Sequence, residues 1–272
     1  DLGDAINVIG SMLQTNPVLT TMVLSQNKFG DKGAAALGNA LKTNSTLKKL
    51  DLCTCKIGPE KGKALGEGLE VNQALTSLDL SYNNLTDTIY TTHAHVMGAS
   101  KAVGDTVRYE GRHKTVIGVN NIHLKLEPDL AGVNAIANAL KSNKGLTSLD
   151  LSGNHVGLEG GKALAEALKV NEGLTSLSLA NNALCGVERE FGTYDPSGVT
   201  ALADALKVNN KLTSLNLYNN HIKLDGANAL AEALKVNKVL TMLQVSGNEM
   251  EDEGREALLT AVDERTGFVL GI

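Results

Sequence analysis

Two groups of side chains in this sequence could bind a metal ion. Cys53 and Cys55 form a Cys-Thr-Cys motif, but no second ligand pair follows at zinc-site spacing. A His-x-His pair with a third histidine could bind zinc, although the spacing of these histidines matches no motif. Exposed loop residues are therefore the favoured interpretation of the four clustered histidines, and no metal site is predicted. These are His93, His95, His113 and His123.

Patterns that support catalysis are missing from the sequence. There is no glycine-rich loop that could hold phosphates, no nucleophile with a nearby base, and no metal-ligand spacing. The sequence therefore predicts a protein that is not an enzyme and that uses no cofactor.

The elements that must position any functional side chain come from an internal repeat. A Leu-x-x-Leu-x-Leu-x-x-Asn phrase occurs seven times, with Met22, Cys55 and Val245 as substitutions. Successive copies are 28 residues apart, except for steps of 71 and 38 residues that contain 43 and 10 inserted residues. This self-similarity is typical of a solenoid in which each unit buries its apolar face against its neighbours. The phrases begin at Leu19, Leu47, Leu75, Leu146, Leu174, Leu212 and Leu240.

The phrase resembles the leucine-rich repeat family. The step of 28 residues, with Gly-x-x-x-Leu-Ala-x-Ala-Leu in its second half, is similar to the ribonuclease-inhibitor-like subclass. This resemblance implies an α/β fold: a leucine-rich repeat solenoid, or horseshoe, with parallel strands on the concave face and helices on the convex face. We expect residues 1–272 to form a single domain of about seven repeats with an N-terminal half repeat.

Within each repeat, alternation at period two should place leucines inside and polar residues outside. Leu149 and Leu151 are expected inside, and Asp150 between them outside. The asparagine that ends the phrase should hold the turn, and Cys55 takes one position of this ladder in a structural role. The ladder contains Asn27, Asn83, Asn154, Asn182, Asn220 and Asn248. A second set of asparagines ends the helices, where a left-handed cap conformation is predicted. These are Asn44, Asn72, Asn143, Asn171, Asn209 and Asn237.

Two insertions interrupt the repeats at corresponding points, between the asparagine turn and the following helix. The first spans residues 86–129 and contains a predicted hairpin at 105–119; the second spans residues 185–194. Because adjacent strands lie about 4.8 Å apart, both insertions should leave the same rim of the solenoid, about 10 Å from each other. Loops of this length are usually functional or disordered, and a functional role is favoured here.

Outward strand positions should form columns on the concave face. Three aspartates on consecutive strands would repel one another and so favour a basic partner or a cation; the alternative is that they keep a solvated sheet soluble. Tyrosine is a common interface anchor. The predicted partner-binding residues of this face are Lys49, Asp51, Asp79, Tyr82, Asp150, Asn216, Tyr218 and Gln244. Those of the first insertion are Arg108, Tyr109 and Arg112.

Composition narrows the function classes. The net charge is -5 and no run is rich in Lys or Arg, which disfavours nucleic acid as a partner. No apolar stretch approaches the length of a membrane span, and no signal peptide is visible. Three cysteines without a paired framework favour an intracellular, cytoplasmic setting. Because the chain begins in mid-repeat, we expect it to belong to a larger chain or assembly.

These features predict a non-enzymatic protein-binding scaffold or adaptor that recognises a partner through the concave face and the rim insertions. A second hypothesis is a regulator of a small GTPase, because a GTPase-activating family uses the same repeat subclass; no stretch here matches a motif of that family. A third is the sensing fragment of a larger multidomain receptor.

Overall fold

The computed structural model describes residues 5–28, 31–86, 90–92, 102, 104–109, 112–119, 123–186 and 193–272. Helices and strands alternate along most of these residues. The helices are α1 (Ala5–Thr15), α2 (Asp31–Thr43), α3 (Pro59–Val71), α4 (Ala131–Ser142), α5 (Gly157–Leu168), α6 (Ser197–Val208), α7 (Leu224–Val236) and α8 (Glu251–Val262). The strands are β1 (Thr21–Val23), β2 (Lys49–Asp51), β3 (Ser77–Asp79), β4 (Tyr90–Thr92), β5 (Thr106–Tyr109), β6 (Arg112–Val119), β7 (His123–Leu126), β8 (Ser148–Asp150), β9 (Ser176–Ser178), β10 (Ser214–Asn216), β11 (Met242–Gln244) and β12 (Val269–Gly271).

One parallel sheet contains eight of the strands, in the order β1-β2-β3-β8-β9-β10-β11-β12. Each strand pairs with the equivalent residues of the next, so Leu50 lies opposite Leu78, and Leu78 lies opposite Leu149. The strand β3 pairs directly with β8 although the first insertion separates them in sequence. This arrangement confirms the predicted leucine-rich repeat solenoid.

The core lies between this sheet and the helices. The middle strand leucines of the second to seventh repeats are at most 2% exposed, whereas the flanking strand residues are half-buried or exposed. The inward and outward alternation predicted for Leu149 and Asp150 is therefore confirmed. Small residues let the helices approach closely: a Cβ added to Gly10 of α1 would lie 2.8 Å from the Cβ of Ala36 in α2.

The asparagines at the strand ends join consecutive repeats. Asn83 is typical. Its Nδ2 donates to the carbonyl oxygens of Leu52 and Leu80 at 2.9 and 2.8 Å, and its Oδ1 accepts the N–H groups of Cys55 and Ile57 at 2.9 and 3.0 Å. The predicted ladder is thus confirmed, and every amide except that of Asn27 also bonds the preceding repeat. Equivalent bonds to a preceding repeat are made by Asn154, Asn182, Asn220 and Asn248.

The asparagines that follow the helices form a second ladder, and here the sequence-based prediction is wrong. They adopt an extended conformation, with φ from -77 to -72°, at Asn72, Asn143, Asn209 and Asn237. Asn143 shows the reason. Its Nδ2 donates to the carbonyl oxygens of Leu69 and Asn72 at 2.7 and 2.6 Å, and its Oδ1 accepts the N–H of Leu146 at 2.8 Å. An extended backbone at these asparagines lets the side chain reach the carbonyl groups of the preceding repeat.

The first insertion contains a second, antiparallel sheet with the order β4-β7-β6-β5. The predicted hairpin corresponds to β5 and β6, in which Tyr109 lies opposite Arg112. The strands β4 and β7 were not predicted from the sequence. Val116 of β6 is buried, and Nζ of Lys114 donates to the carbonyl oxygen of Glu127 at 3.2 Å.

The two ends of the solenoid are built differently. At one end of the described residues, the helix α1 precedes β1. At the other end, β12 pairs in parallel with β11 and extends the sheet beyond the seventh repeat. Arg265 donates to the carbonyl oxygen of Leu240 and lies over the ring of Phe268, with 4.4 Å between its guanidinium carbon and the ring centroid.

Candidate partner-binding surface

The middle column of the concave face brings three carboxylates side by side. Asp51 of β2 lies opposite Asp79 of β3, which lies opposite Asp150 of β8. Neighbouring strands are about 4.8 Å apart, so these carboxylates form a continuous acidic row. Lys49 lies in the adjacent column on β2 and is exposed.

The three aspartates also have a structural role that the sequence analysis missed. In each, Oδ1 accepts the backbone N–H two residues later, at 2.9, 2.8 and 2.8 Å for Asp51, Asp79 and Asp150. Such a bond mimics a backbone turn and ends the strand. Ser81 Oγ also donates to Oδ1 of Asp79 at 2.6 Å. The second oxygen, Oδ2, has no partner among the described residues in any of the three.

Later strands make the same turn without charge. In Asn216, Oδ1 accepts the N–H of Tyr218 at 2.9 Å. In Gln244, Oε1 accepts the N–H and the hydroxyl of Ser246 at 3.2 and 3.0 Å. Ser178, in the same column, instead places its hydroxyl 2.7 Å from that of Ser152. A neutral acceptor oxygen therefore makes the same hydrogen bond as a carboxylate.

Two exposed tyrosines flank this column. Tyr82 is 58% exposed and Tyr218 is 42% exposed, but they occupy different positions of the repeat. The ring of Tyr82 packs on Gly153 of the next repeat, and a Cβ added there would lie 2.6 Å from a ring carbon. The ring of Tyr218 packs on Gly247 in the same way, at 2.8 Å. Both glycines have φ near +70°, which glycine tolerates, and each leaves space for a tyrosine ring at the edge of the concave face.

Met242 belongs to the same surface although the set of predicted site residues omits it. It is 43% exposed on β11, and its sulfur lies 3.5 Å from Oγ of Ser214. The signal was present in the sequence, since Met242 occupies an outward strand position equivalent to Lys49. With Tyr218 it gives the later strands an apolar character that the acidic row does not share.

The three predicted residues of the first insertion lie in the β5–β6 hairpin. Arg108 and Tyr109 belong to β5, and Arg112 begins β6. Their side chains lie outside the part of the chain that the structure describes, so their role in binding stays a prediction. Both insertions enter between a strand-end turn and the next helix, after β3 and after β9, and only β8 separates these two strands in the sheet.

Two of the three cysteines, Cys55 and Cys185, are buried. Cys55 is fully buried, and its Sγ lies 3.1 Å from the carbonyl oxygen of Leu24, where an asparagine amide donates in other repeats. Burial raises the pKa of the Cys55 thiol to about 11 and that of Cys185 to about 12. No group of three metal-ligating side chains occurs within the described ranges. His93 and His95 lie outside these ranges, as do the side chains of His113 and His123, so the expectation for the four histidines stays a prediction.

Comparison with known proteins agrees with the repeat. The sequence model of the family described as "Leucine Rich repeat" matches six segments that together cover just over half of the chain. The segments are residues 15–38, 43–66, 71–89, 142–165, 208–231 and 236–259. The repeat interrupted by the second insertion, which begins at Leu174, is not among them. Comparison with curated proteins gave no match.

Three chains that the comparison with solved structures found are similar to this one to different degrees. The leucine-rich repeat-containing protein LegL7 from Legionella pneumophila aligns with 96% of this chain and 68% of its own, at 18% identity and a TM-score of 0.52. The tropomodulin C-terminal domain from Caenorhabditis elegans aligns with 74% of this chain and 91% of its own, at 13% identity and a TM-score of 0.45. Actin-binding site 2 of leiomodin-1 aligns with 83% and 87%, at 16% identity and a TM-score of 0.38. Within the described residues, no helix has the length and apolar character needed to cross a membrane.

Proposed function

Because this chain belongs to the leucine-rich repeat family, whose repeats build protein-binding scaffolds with extended concave surfaces, we propose that it binds a protein partner along its concave face. Basic side chains of the partner lie against Asp51, Asp79 and Asp150. Apolar side chains of the partner pack on Tyr218 and Met242.

This proposal rests on the negative charge of the three aspartates, which the strand-end hydrogen bond does not require. Asn216 makes the same strand-end hydrogen bond as Asp150 with a neutral side chain. Like charges directly opposite each other on adjacent strands are destabilising. Three in-register aspartates therefore cost stability without improving the turn, and a basic partner would offset that cost. The second carboxylate oxygen of each is available to accept hydrogen bonds from such a partner.

The rim insertions provide the second contact in this proposal. They follow β3 and β9, which lie two strand spacings, or about 10 Å, apart. Arg108, Tyr109 and Arg112 lie at the turn end of the hairpin β5–β6, and two arginines and a tyrosine are residue types enriched at binding hot spots. The concave face thus supplies acidic groups, and the hairpin supplies basic and aromatic ones.

The test uses substitutions that remove charge and retain the turn. In the concave variant, Asp51, Asp79 and Asp150 are all changed to Asn, which keeps the acceptor oxygen as Asn216 does. In a matched control, exposed acidic residues away from this column are neutralised: Glu70→Gln, Glu256→Gln and Glu264→Gln. Both variants change the net charge by the same amount. Each is immobilised beside the wild-type chain, proteins from the native source are captured, and the captured proteins are quantified by mass spectrometry.

A protein retained by the wild type and the control but lost from the concave variant supports the proposal. Three exposed charge pairs of about 0.5 kcal/mol each correspond to roughly a tenfold loss of affinity. This loss should shrink at high salt, because exposed charges are screened. Equal retention by all three baits would remove the acidic row from the binding surface.

A further inference from the structure

The acidic row on the concave face has a regular spacing. Asp51, Asp79 and Asp150 lie opposite one another on three consecutive strands of the sheet. Because neighbouring strands are about 4.8 Å apart, the second and third carboxylates lie about 4.8 and 9.6 Å beyond the first, along a line that crosses the strands. A partner segment that contacts all three must present its basic side chains at a matching spacing along the same line.

A helix matches this spacing, whereas an extended strand does not. Residues i, i+3 and i+7 share one face of a helix, and with a rise of about 1.5 Å per residue the last two lie about 4.5 and 10.5 Å beyond the first. Each falls within about 1 Å of a carboxylate position. On one face of an extended strand, residues i+2 and i+4 lie about 6.8 and 13.6 Å beyond residue i. The third side chain of a strand would therefore pass Asp150 by about 4 Å.

The residues beside the row leave room for a helix. The outward positions on either side of Asp79 and Asp150 are all serines: Ser77, Ser81, Ser148 and Ser152. Ser81 and Ser152 are only 5% and 6% exposed, so they do not project from the sheet. A helix with its side chains is about 10 Å across, and it can approach the carboxylates only where the flanking side chains are short. The serines meet this requirement on β3 and β8.

Farther along the same line, two exposed apolar residues lie on opposite sides of the middle column. Tyr218 follows Asn216 by two residues, and Met242 precedes Gln244 by two residues. The strands β10 and β11 lie four and five strand spacings from β2, which is about 19 and 24 Å. Helix residue i+14 lies on the same face as residue i and about 21 Å beyond it. Its side chain would therefore lie between Tyr218 and Met242.

We propose that the partner segment on the concave face is an α-helix that lies across the strands; this inference rests on the proposed function. Basic residues at i, i+3 and i+7 of the helix contact the carboxylates of the acidic row. An apolar residue at i+14 packs between Tyr218 and Met242. The N-terminal half of the helix lies over the acidic row, because the positive end of a helix dipole is stabilised beside carboxylates. The helix has about 16 residues, since it spans the distance from β2 to β11 at about 1.5 Å per residue.

The test measures binding of labelled, alanine-rich peptides of about 18 residues to the 272-residue chain by fluorescence anisotropy. The helix-register peptide has lysine at i, i+3 and i+7 and leucine at i+14. Its isomer has the same composition in strand register, with lysine at i, i+2 and i+4 and leucine at i+6. The helix-register peptide should bind at least about tenfold more tightly than its isomer, and the triple Asp→Asn variant should abolish this difference. The triple Glu→Gln variant, which is the matched control, should retain it.

A second measurement tests the apolar contact. Replacing the leucine at i+14 of the peptide with alanine should weaken binding to the wild-type chain by about tenfold. The same replacement should have little effect on binding to the Tyr218→Ala variant, because the leucine has then already lost its contact. An equal loss with both chains would show that the leucine lies elsewhere, which contradicts the proposed position of the helix.

Two further results would overturn the proposal. One is an isomer that binds the wild-type chain as tightly as the helix-register peptide does. If the triple Asp→Asn variant then weakens both peptides, the acidic row binds basic segments without requiring a helix, and the proposed function stands. The other is no binding of either peptide up to about 1 mM, the weak end of specific affinities. Equal retention by all three baits in the capture experiment would instead contradict the proposed function itself.

Discussion

The concave face has two halves that share a backbone and differ in charge. The acidic half consists of β2, β3 and β8 with Asp51, Asp79 and Asp150; the neutral half consists of β9, β10 and β11 with Asn216 and Gln244. In five of these six strands the outward side chain accepts the N–H two residues later. The comparison teaches that turn formation and surface charge are separable, so a repeat can change what it recognises without changing how it folds.

The largest expected effect tests whether the halves are structurally equivalent. Asn154→Ala in the acidic half and Asn220→Ala in the neutral half should each lower the free energy of unfolding by about 3 kcal/mol, because buried backbone groups lose their partners. Urea denaturation measures both. Asn210→Ala, which removes an exposed side chain, is the control and should cost below about 0.5 kcal/mol. Clearly unequal losses at Asn154 and Asn220 would mean that the halves differ in packing as well as charge.

The next effect concerns binding by the neutral half. Tyr218→Ala should weaken binding of the captured partner by about 2 kcal/mol, roughly a 30-fold rise in the dissociation constant, because an exposed aromatic anchor is lost. The salt dependence of binding should stay unchanged, in contrast to the triple Asp→Asn variant of the acidic half. Isothermal titration calorimetry at two salt concentrations separates these effects. If Tyr218→Ala flattens the salt dependence instead, the proposed division between the halves is wrong.

A smaller effect separates charge from turn formation within the acidic half. Asp79→Ser should lower the free energy of unfolding by about 1 kcal/mol, because two hydrogen bonds to Oδ1 are lost. Asp79→Asn keeps the acceptor and relieves repulsion from Asp51 and Asp150, so its stability should equal or exceed that of the wild type. Thermal and urea unfolding compare the two variants. A serine variant as stable as the asparagine variant would show that the turn bond contributes little.

The smallest effect is the pH dependence of a hydrogen bond beside the neutral half. Nδ1 of His221 lies 2.8 Å from Oε1 of Glu249, and this hydrogen bond lowers the pKa of Glu249. A lowered carboxyl pKa adds stability above the ordinary value of about 4.5, and this stability is lost as pH falls through the folded pKa. Because Glu249 is about half exposed, Glu249→Gln should cost about 0.5 kcal/mol at pH 6. The two proteins should converge near pH 3, whereas a difference that persists there would have another origin.

The fold could be predicted from the sequence because leucine spacing alone determines which residues face inward. The register across the first insertion also followed from the repeat, since Leu78 and Leu149 occupy equivalent positions. The strands β4 and β7 could not be predicted, because an isolated insertion has no periodicity that identifies its partner strands. No observation supports the two alternative hypotheses, a regulator of a small GTPase and a fragment of a receptor.

Hydrogen bonds between repeats explain most of what the sequence did not reveal. The helix-end asparagines look like local caps, but Asn143 bonds Leu69, a residue 74 positions earlier. The aspartates look like surface charges, but one oxygen of Asp79 holds a turn.

Because β3 pairs directly with β8, the segment between Thr86 and Asp129 can be replaced without changing the sheet of the solenoid. The scaffold closes beneath the inserted residues, and Thr86 and Asp129 anchor its two borders through hydrogen bonds to His155 and Ala131. Segments of different length and shape could be exchanged at this seam while the underlying curvature stays the same. Such a molecule could acquire new targets by replacing one module, much as an antibody domain does with its loops.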